Sequence, residues 1–151
     1  MPKEGEEAPD FKLRDQNGED HSLSQYLGQW VLVYFYPKDD TPGCTKEACG
    51  IRDNFPDFEN LKIKVLGVSV DSVQNHKQFA EKYHLPFTLL ADENREVVQK
   101  YCVWGEKNTF GHKSFGTLRT SFLVSPEGKI AKVYTSVKPE VHAQEVLEDL
   151  E

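Results

Sequence analysis

Long apolar runs are absent from this chain of 151 residues. The longest is the stretch Trp30–Tyr36, whereas a helix that spans a bilayer needs about 20 apolar residues. Positive charge is also scarce. The chain has 18 Lys and Arg residues against 25 Asp and Glu residues, which gives a formal net charge of −7. Such an acidic balance argues against nucleic acids and anionic membrane surfaces as partners. We therefore expect a globular protein that binds neither nucleic acid nor membrane.

Cysteine is scarce as well. The chain has three cysteines, Cys44, Cys49 and Cys102, and an odd number does not build the disulfide framework of a small secreted protein. The lack of a Cys-x-x-Cys pair argues against a thioredoxin-like reductase and against a zinc or iron–sulfur site, which needs four convergent ligands. A cysteine phosphatase would need an arginine six positions after Cys44, where Gly50 stands. Two interpretations of Cys44 and Cys49 remain, buried structural thiols and redox chemistry in a reducing compartment, and the residues described below favour the second.

The chain contains no internal repeat, low-complexity tract or linker, so residues 1–151 are predicted to form one domain. Asn17-Gly18 predicts an N-terminal β-hairpin. The order β-α-β-α-β-α-β-β-α follows, which is typical of an α/β fold with a central mixed sheet and helices on both faces. The predicted strands are 30–36, 63–70, 87–90, 119–124 and 130–134. The predicted helices are 41–54 (with Gly43 as the alternative start), 73–83, 94–101 and 139–150. Residues 105–117 are predicted to be a mobile loop.

Cys44 lies where a buried strand and a turn are followed by a predicted helix. A thiolate at a helix N-terminus is favoured by unpaired N–H groups and by the helix dipole. The dipole alone supplies only about 0.3–1 kcal/mol at an exposed site, so a nearby cation is also expected. Arg119 is the best candidate because it begins an apolar strand where packing does not require a charge. The other candidates are Lys38, Lys46 and Arg52.

The turn before Cys44 has the features of a small binding site for a peroxide. Pro37 and Pro42 stiffen the backbone, and Gly43 allows a small ligand to approach it closely. The Thr41 hydroxyl both donates and accepts hydrogen bonds. A peroxide needs this combination, since its departing oxygen gains negative charge during the reaction and requires donors.

The pattern Pro37-x-x-x-Thr41-x-x-Cys44 resembles the active site of the peroxiredoxins. The sequence Thr-Pro-Gly-Cys-Thr, with another cysteine five positions after the first, is similar to the bacterioferritin-comigratory-protein or peroxiredoxin Q group. The stretches 103–107 and 119–124 also match this group, and the resemblance covers residues 5–150.

The resemblance implies a thioredoxin-like fold and an antioxidant thiol peroxidase for hydrogen peroxide and organic hydroperoxides, with no metal or organic cofactor. It implies that Cys44 is the peroxidatic cysteine, which becomes a sulfenic acid. Cys49 would be the resolving cysteine, and thioredoxin or a glutaredoxin-like protein would reduce the intramolecular Cys44–Cys49 disulfide. Thr41 would orient the peroxide, Arg119 would stabilise the thiolate and the leaving oxygen, and Pro37 would shield the pocket.

Helix geometry adds a condition to this scheme. Residues i and i+5 of a helix have Cα atoms about 8–9 Å apart, beyond the roughly 7 Å limit for a disulfide. We therefore predict that residues 44–49 are helical in the reduced protein and unwind on oxidation. A redox-dependent binding protein, which recruits a partner through the unwound segment, is the second functional hypothesis.

The other expectations are less specific. Glu47 is interpreted as a complement to the helix dipole, with the ordering of active-site water or a proton path as the alternative. Cys102 is interpreted as a packed residue or an incidental surface thiol rather than as a third redox centre. No catalytic role is assigned to the histidines, which are expected mostly on exposed faces: His21, His76, His84, His112 and His142. We expect a monomer, located in the cytoplasm or in an organelle if a leader has been removed.

Overall fold

The computed structural model describes residues 1–109 and 111–150. The strands are β1 Lys12–Asp15, β2 Asp20–Ser22, β3 Trp30–Phe35, β4 Ile63–Ser69, β5 Thr88–Ala91, β6 Trp104–Thr109, β7 His112–Thr117, β8 Thr120–Val124 and β9 Ile130–Tyr134. The helices are α1 Pro42–Asp53, α2 Phe55–Asn60, α3 Val73–Tyr83, α4 Glu96–Lys100 and α5 His142–Asp149, with a 3₁₀ turn at Leu23–Tyr26. No helix within these described ranges is both long and apolar enough to cross a membrane.

Seven strands form one mixed sheet in the order β2-β1-β5-β4-β3-β8-β9. Strands β3, β4 and β5 are mutually parallel, whereas β8 runs antiparallel to β3. The predicted central mixed sheet and the N-terminal β1–β2 hairpin are therefore confirmed. Because the parallel strands end at the same edge, the loops that follow β3, β4 and β5 meet there.

Strand β3 is apolar along its whole length because both faces of the sheet are covered. Leu32 and Tyr34 pack into one core under α1, α2, α3 and α5. Val31, Val33 and Phe35 point the other way, into a second core under the 3₁₀ turn and α4. The prediction of helices on both faces is confirmed.

The structure corrects the prediction of a mobile loop at residues 105–117. Strands β6 and β7 form an antiparallel hairpin there, with six cross-strand pairs from Trp104↔Thr117 to Thr109↔His112. Most of the described side chains in β7 are exposed, so the hairpin lacks the alternation of apolar and polar residues that marks a half-buried strand. These strands are therefore recognised by their backbone pairing and could not be predicted from a pattern of apolar and polar residues.

The start of the last helix also differs from the prediction, and one short helix was not predicted. The last helix begins at His142 rather than Pro139, because a backbone hydrogen bond from Val141 N–H to Lys138 C=O closes a turn first. The short helix α2 was not predicted, and it contains Pro56 in its first turn, where a missing N–H costs little.

Candidate active site

Cys44 lies in the first turn of α1 and is almost completely buried, with 2% of its surface exposed. Thr41 is the N-cap residue of this helix, and its carbonyl accepts the first helical hydrogen bond from Thr45 N–H. At this position the backbone N–H groups have no intrahelical acceptor and the helix dipole favours negative charge. The structure therefore places the sulfur where the sequence predicts it, at a helix N-terminus.

Arg119 lies directly against this sulfur, as the sequence predicts. It immediately precedes β8, whose first residue, Thr120, pairs with Phe35 at the end of β3. This register brings the guanidinium to the loop that leads from β3 to α1. Its Nη2 lies 3.3 Å from Cys44 Sγ. A guanidinium retains its charge at all accessible pH values, so it favours the thiolate over the thiol.

Glu47 is the second partner of Arg119, and sequence analysis missed this contact. Its Oε1 accepts a hydrogen bond from Arg119 Nη1 at 2.7 Å, and its side chain is fully buried. Burial raises the pKa of Glu47 to about 7, although Arg119 opposes the shift. The spacing of three residues between Cys44 and Glu47, one helical turn, is the signal that could have revealed a shared partner.

Two buried oxygen atoms near this pair have no hydrogen-bond partner within the described part of the chain: Glu47 Oε2 and the Tyr34 hydroxyl. Burial raises the pKa of Tyr34 well above its ordinary value, and the charge of Glu47 raises it further. Tyr34 therefore stays neutral. The site thus combines one permanent cation, one carboxyl that titrates near neutrality and one neutral phenol.

Gly43 gives the guanidinium room. A Cβ atom at this position would lie 3.1 Å from Arg119 Nη2, which is tighter than ordinary van der Waals contact. The sequence suggested that Gly43 lets a ligand approach the backbone, whereas its close neighbour in the structure is Arg119. A larger residue would displace the same nitrogen that contacts Cys44.

Thr41 and Pro37 are both half-buried at this end of the sheet. The Thr41 hydroxyl donates to the Lys38 carbonyl at 2.9 Å, which leaves its oxygen free to accept another hydrogen bond. Of the alternative cations, Arg52 is engaged with Asp53 and the Tyr83 carbonyl. The two lysines, Lys38 and Lys46, are exposed.

Cys49 lies within the same continuous helix as Cys44 and is half-buried as a free thiol. The predicted helical state of residues 44–49 with unbonded cysteines is thus confirmed, whereas unwinding on oxidation stays a prediction. Cys102 is exposed and lies in the turn after α4. Of the two interpretations of Cys102, the structure agrees with a surface thiol.

The expectation that the histidines lie mostly on exposed faces was wrong, since His84 and His112 are exposed but His21 is half-buried. His76 and His142 are both fully buried. His76 lies between the Asp39 carboxylate and the Leu90 carbonyl. His142 lies between the Ser121 hydroxyl and Glu145, and burial lowers its pKa.

The chain is similar to known proteins over most of its length. The AhpC/TSA family matches residues 5–133. Peroxiredoxin Bcp of Escherichia coli is 47% identical over 145 residues, which are 96% of this chain and 93% of that protein. The structure of the Xanthomonas campestris bacterioferritin comigratory protein superposes with a TM-score of 0.90 at 36% identity and covers 98% of this chain and 97% of its own. A Xylella fastidiosa PrxQ mutant gives 0.93 at 33% identity over 99% and 96%.

The chain therefore belongs to the AhpC/TSA family, whose members with this fold and this cysteine site are thiol-dependent peroxidases. Within the family it falls into the bacterioferritin-comigratory-protein or peroxiredoxin Q group. The predicted family, thioredoxin-like fold and enzyme class are thereby confirmed. Proteins of this group use peroxide substrates and thioredoxin-type reductants.

Proposed function

We propose that this protein reduces hydrogen peroxide and organic hydroperoxides through Cys44. The contact of 3.3 Å between Arg119 Nη2 and Cys44 Sγ, at the N-terminus of α1, is the observation that carries this proposal. The thiolate attacks one peroxide oxygen and the O–O bond breaks. Cys44 becomes a sulfenic acid, and the departing oxygen takes up a proton to leave as water or an alcohol. Arg119 and Thr41 face the reacting atoms, and Pro37 and Gly43 shape the pocket around them.

The proposed range of substrates is supported by the activity of a similar protein. The Xanthomonas campestris bacterioferritin comigratory protein, which covers nearly the same length, has alkyl peroxide reduction activity. We extend this range to the present chain because the two structures superpose over nearly their whole length and because this chain places a thiol and a cation together at a helix N-terminus. Hydrogen peroxide fits the same chemistry, since it differs only in the group attached to the departing oxygen.

Cys49 completes the cycle in this proposal. Its thiol attacks the Cys44 sulfenic acid, a disulfide forms and water leaves. The first turns of α1 unwind to bring the two sulfur atoms together. A thioredoxin, or a glutaredoxin-like protein, then reduces the disulfide and becomes oxidised itself. We further propose that residues 1–151 act as one domain, as a monomer in the cytoplasm, in antioxidant defence and cell redox homeostasis.

Intact mass after one equivalent of hydrogen peroxide tests the cysteine assignment. Wild type should lose about two mass units, with the disulfide mapped to Cys44 and Cys49. Cys49→Ser should instead gain one oxygen and over-oxidise under excess peroxide, and Cys44→Ser should not react. Cys102→Ser is the matched control and should behave as wild type. A disulfide between Cys44 and Cys102 would refute Cys49 as the resolving residue.

Turnover tests the enzymatic cycle. Peroxide should be consumed continuously in the presence of thioredoxin, thioredoxin reductase and NADPH, and the oxidation of NADPH reports the rate. A single oxidation per protein molecule, without turnover and with capture of a partner by the oxidised form, would contradict the enzyme. That outcome would support the redox-dependent binding protein instead.

A further inference from the structure

The loop that connects β3 to Cys44 is held by a second buried polar cluster. Asp39 lies at its centre, and 9% of its surface is exposed. The Tyr36 hydroxyl donates to Asp39 Oδ1 at 2.6 Å. Asp39 Oδ2 lies 2.6 Å from His76 Nδ1 on α3. The backbone N–H of Asp39 donates to Asp71 Oδ2 at 2.9 Å. The loop is thus bound to Tyr36, the residue that follows β3, to α3 and to the turn after β4.

The contacts of His76 fix where its hydrogens lie. Nε2 is 2.9 Å from the Leu90 carbonyl oxygen, and a carbonyl only accepts, so Nε2 carries a hydrogen. Nδ1 lies within hydrogen-bond distance of Asp39 Oδ2, so both ring nitrogens have a partner. The fully buried ring therefore bridges strand β5, in the sheet, and the loop that leads to Cys44.

The next residue of the loop is also held by contacts with α3. Asp40 has φ = 58°, a left-handed conformation that is uncommon for a residue with a side chain, although aspartate adopts it more readily than most. Its carboxylate accepts hydrogen bonds of 2.7 Å each from Lys82 and the Tyr83 hydroxyl, at the end of α3. Those two contacts are exposed and contribute little. The buried contact between Asp39 and His76 is the stronger restraint on the same loop.

Asp39, Asp71 and His76 also have the spacing of a metal-ligand cluster, with ligand atoms within 4.8 Å of one another. Hydrogen bonds already use these atoms. Asp71 Oδ2 accepts from the Ser69 hydroxyl at 2.6 Å as well as from the Asp39 N–H, and both nitrogens of His76 are engaged. The cluster restrains the loop and carries no proposal of a cation site.

We propose that His76 and Asp39 are positioning residues for the attack of Cys44 on peroxide, an inference that rests on the proposed function. Asp39 precedes Thr41, the N-cap of α1, by two residues, and Cys44 follows Thr41 by three. With Asp39 fixed to His76, the Thr41 hydroxyl and the first turn of α1 keep their place relative to Arg119. Neither His76 nor Asp39 touches the peroxide. A misplacement of about 1 Å at a reacting centre costs about 100-fold in rate.

A pair of conservative substitutions isolates the contact that matters. The side-chain nitrogen of Asn occupies the place of Nδ1, so His76→Asn keeps a donor for Asp39 and loses the contact with Leu90. The side-chain nitrogen of Gln reaches the place of Nε2, so His76→Gln keeps the donor for Leu90 and loses the contact with Asp39. Both variants lose the imidazole and its packing. Lys77→Gln, exposed on the same helix, is the control for a neutral change on α3.

The measurement is the second-order rate constant for oxidation of Cys44 by hydrogen peroxide, by stopped flow, with the urea midpoint of each variant. His76→Gln should react at least about tenfold more slowly than wild type. His76→Asn should stay within about threefold of wild type, and Lys77→Gln should equal it. Equal rate constants for the Asn and Gln variants would overturn the inference, because a merely structural role does not distinguish them.

A milder variant covers the case in which neither His76 variant folds. Tyr36→Phe removes only the hydroxyl that donates to Asp39, and we expect a rate at least about threefold below that of wild type. An unchanged rate in Tyr36→Phe would then overturn the inference. If wild type itself fails to reduce peroxide, the proposed function is refuted. The wild-type rate constant therefore separates that outcome from a failure of the role proposed for His76 and Asp39.

Discussion

Glu47 and Arg119 form an ion pair in which Glu47 Oε1 lies 2.7 Å from Arg119 Nη1, and the Glu47 side chain is fully buried. The same guanidinium directs its other terminal nitrogen at Cys44 Sγ. Because the planar guanidinium has a fixed geometry of donors, the bond to Glu47 sets the direction from which the charge faces the sulfur. The carboxyl that holds the cation also has a pKa near neutrality, so the pair is sensitive to pH.

Replacement of Arg119 should affect rate and stability together. Arg119→Ala removes the charge that favours the thiolate and the donor for the departing oxygen, so oxidation of Cys44 should slow by about 100-fold or more. It also leaves the buried Glu47 carboxyl without its partner, which should cost about 1–3 kcal/mol. Stopped-flow oxidation and urea unfolding measure the two effects.

Arg14→Ala is the control for this variant, because Arg14 is exposed on β1. It should leave both quantities unchanged. A wild-type oxidation rate at neutral pH in Arg119→Ala would contradict this account of how the thiolate is stabilised.

Glu47→Gln should flatten the pH dependence of stability. The folded protein keeps the Glu47 proton up to about pH 7, whereas an unperturbed carboxyl loses it near 4.5. Between these values the folded state binds more protons than the unfolded state, so the free energy of unfolding of wild type falls as the pH rises. Relative to the variant, wild type should lose up to about 3 kcal/mol across this range.

Urea unfolding at a series of pH values measures this difference. Glu148→Gln is the matched control, since Glu148 is exposed on α5, and its curve should run parallel to that of wild type. Parallel curves for wild type and Glu47→Gln between pH 4.5 and 7 would show that Glu47 titrates normally.

Gly43→Ala tests the space beside the guanidinium. The new Cβ would lie 3.1 Å from Arg119 Nη2, so the guanidinium must shift by a few tenths of an ångström, and Cys44 oxidation should slow several-fold. Gly50→Ala in the same helix is the matched control, because its Cβ would lie 3.9 Å from the Pro139 carbonyl oxygen. It should keep the oxidation rate and gain up to about 1 kcal/mol of stability. Equal rates in the two variants would refute this role of Gly43.

His142→Gln should reduce the sensitivity of the fold to acid. Burial, and to a smaller extent Arg119, lowers the pKa of His142 below 6.5, although Glu145 opposes the shift. Below pH 6.5 the unfolded chain therefore binds a proton that the folded protein does not, and the stability of wild type falls as the pH falls. The variant keeps a donor for Ser121 and cannot titrate, so its urea midpoint should fall less steeply.

His112→Gln is the control for this experiment, because His112 is exposed on β7. Its midpoint should follow that of wild type. Identical acid profiles in wild type and His142→Gln would contradict the prediction.

The sequence was informative where neighbours along the chain decide the structure. The apolar run of β3 and the Thr41–Cys44 segment predict a strand, a turn and a helix start, because burial and helix capping act over a few residues. The sequence was uninformative for the β6–β7 hairpin, because the mostly exposed side chains of β7 give no periodic pattern. It also missed the burial of His76 and His142, whose partners Asp39 and Ser121 are 37 and 21 positions away.

By itself, the amino-acid sequence determined the redox chemistry: a thiol at a helix N-terminus, a second thiol five residues later and a family pattern around both. The sequence also named Arg119 as the best candidate for the cation beside that thiol. Only the tertiary structure decided how Arg119 reaches the thiol and which other groups hold the site. Arg119 reaches Cys44 because β8 pairs with β3 in one register, Glu47 holds Arg119 because α1 packs its carboxyl inward, and Asp39 meets His76 because three parallel strands end at one edge. Such contacts join residues that are distant in sequence, and no local pattern encodes them.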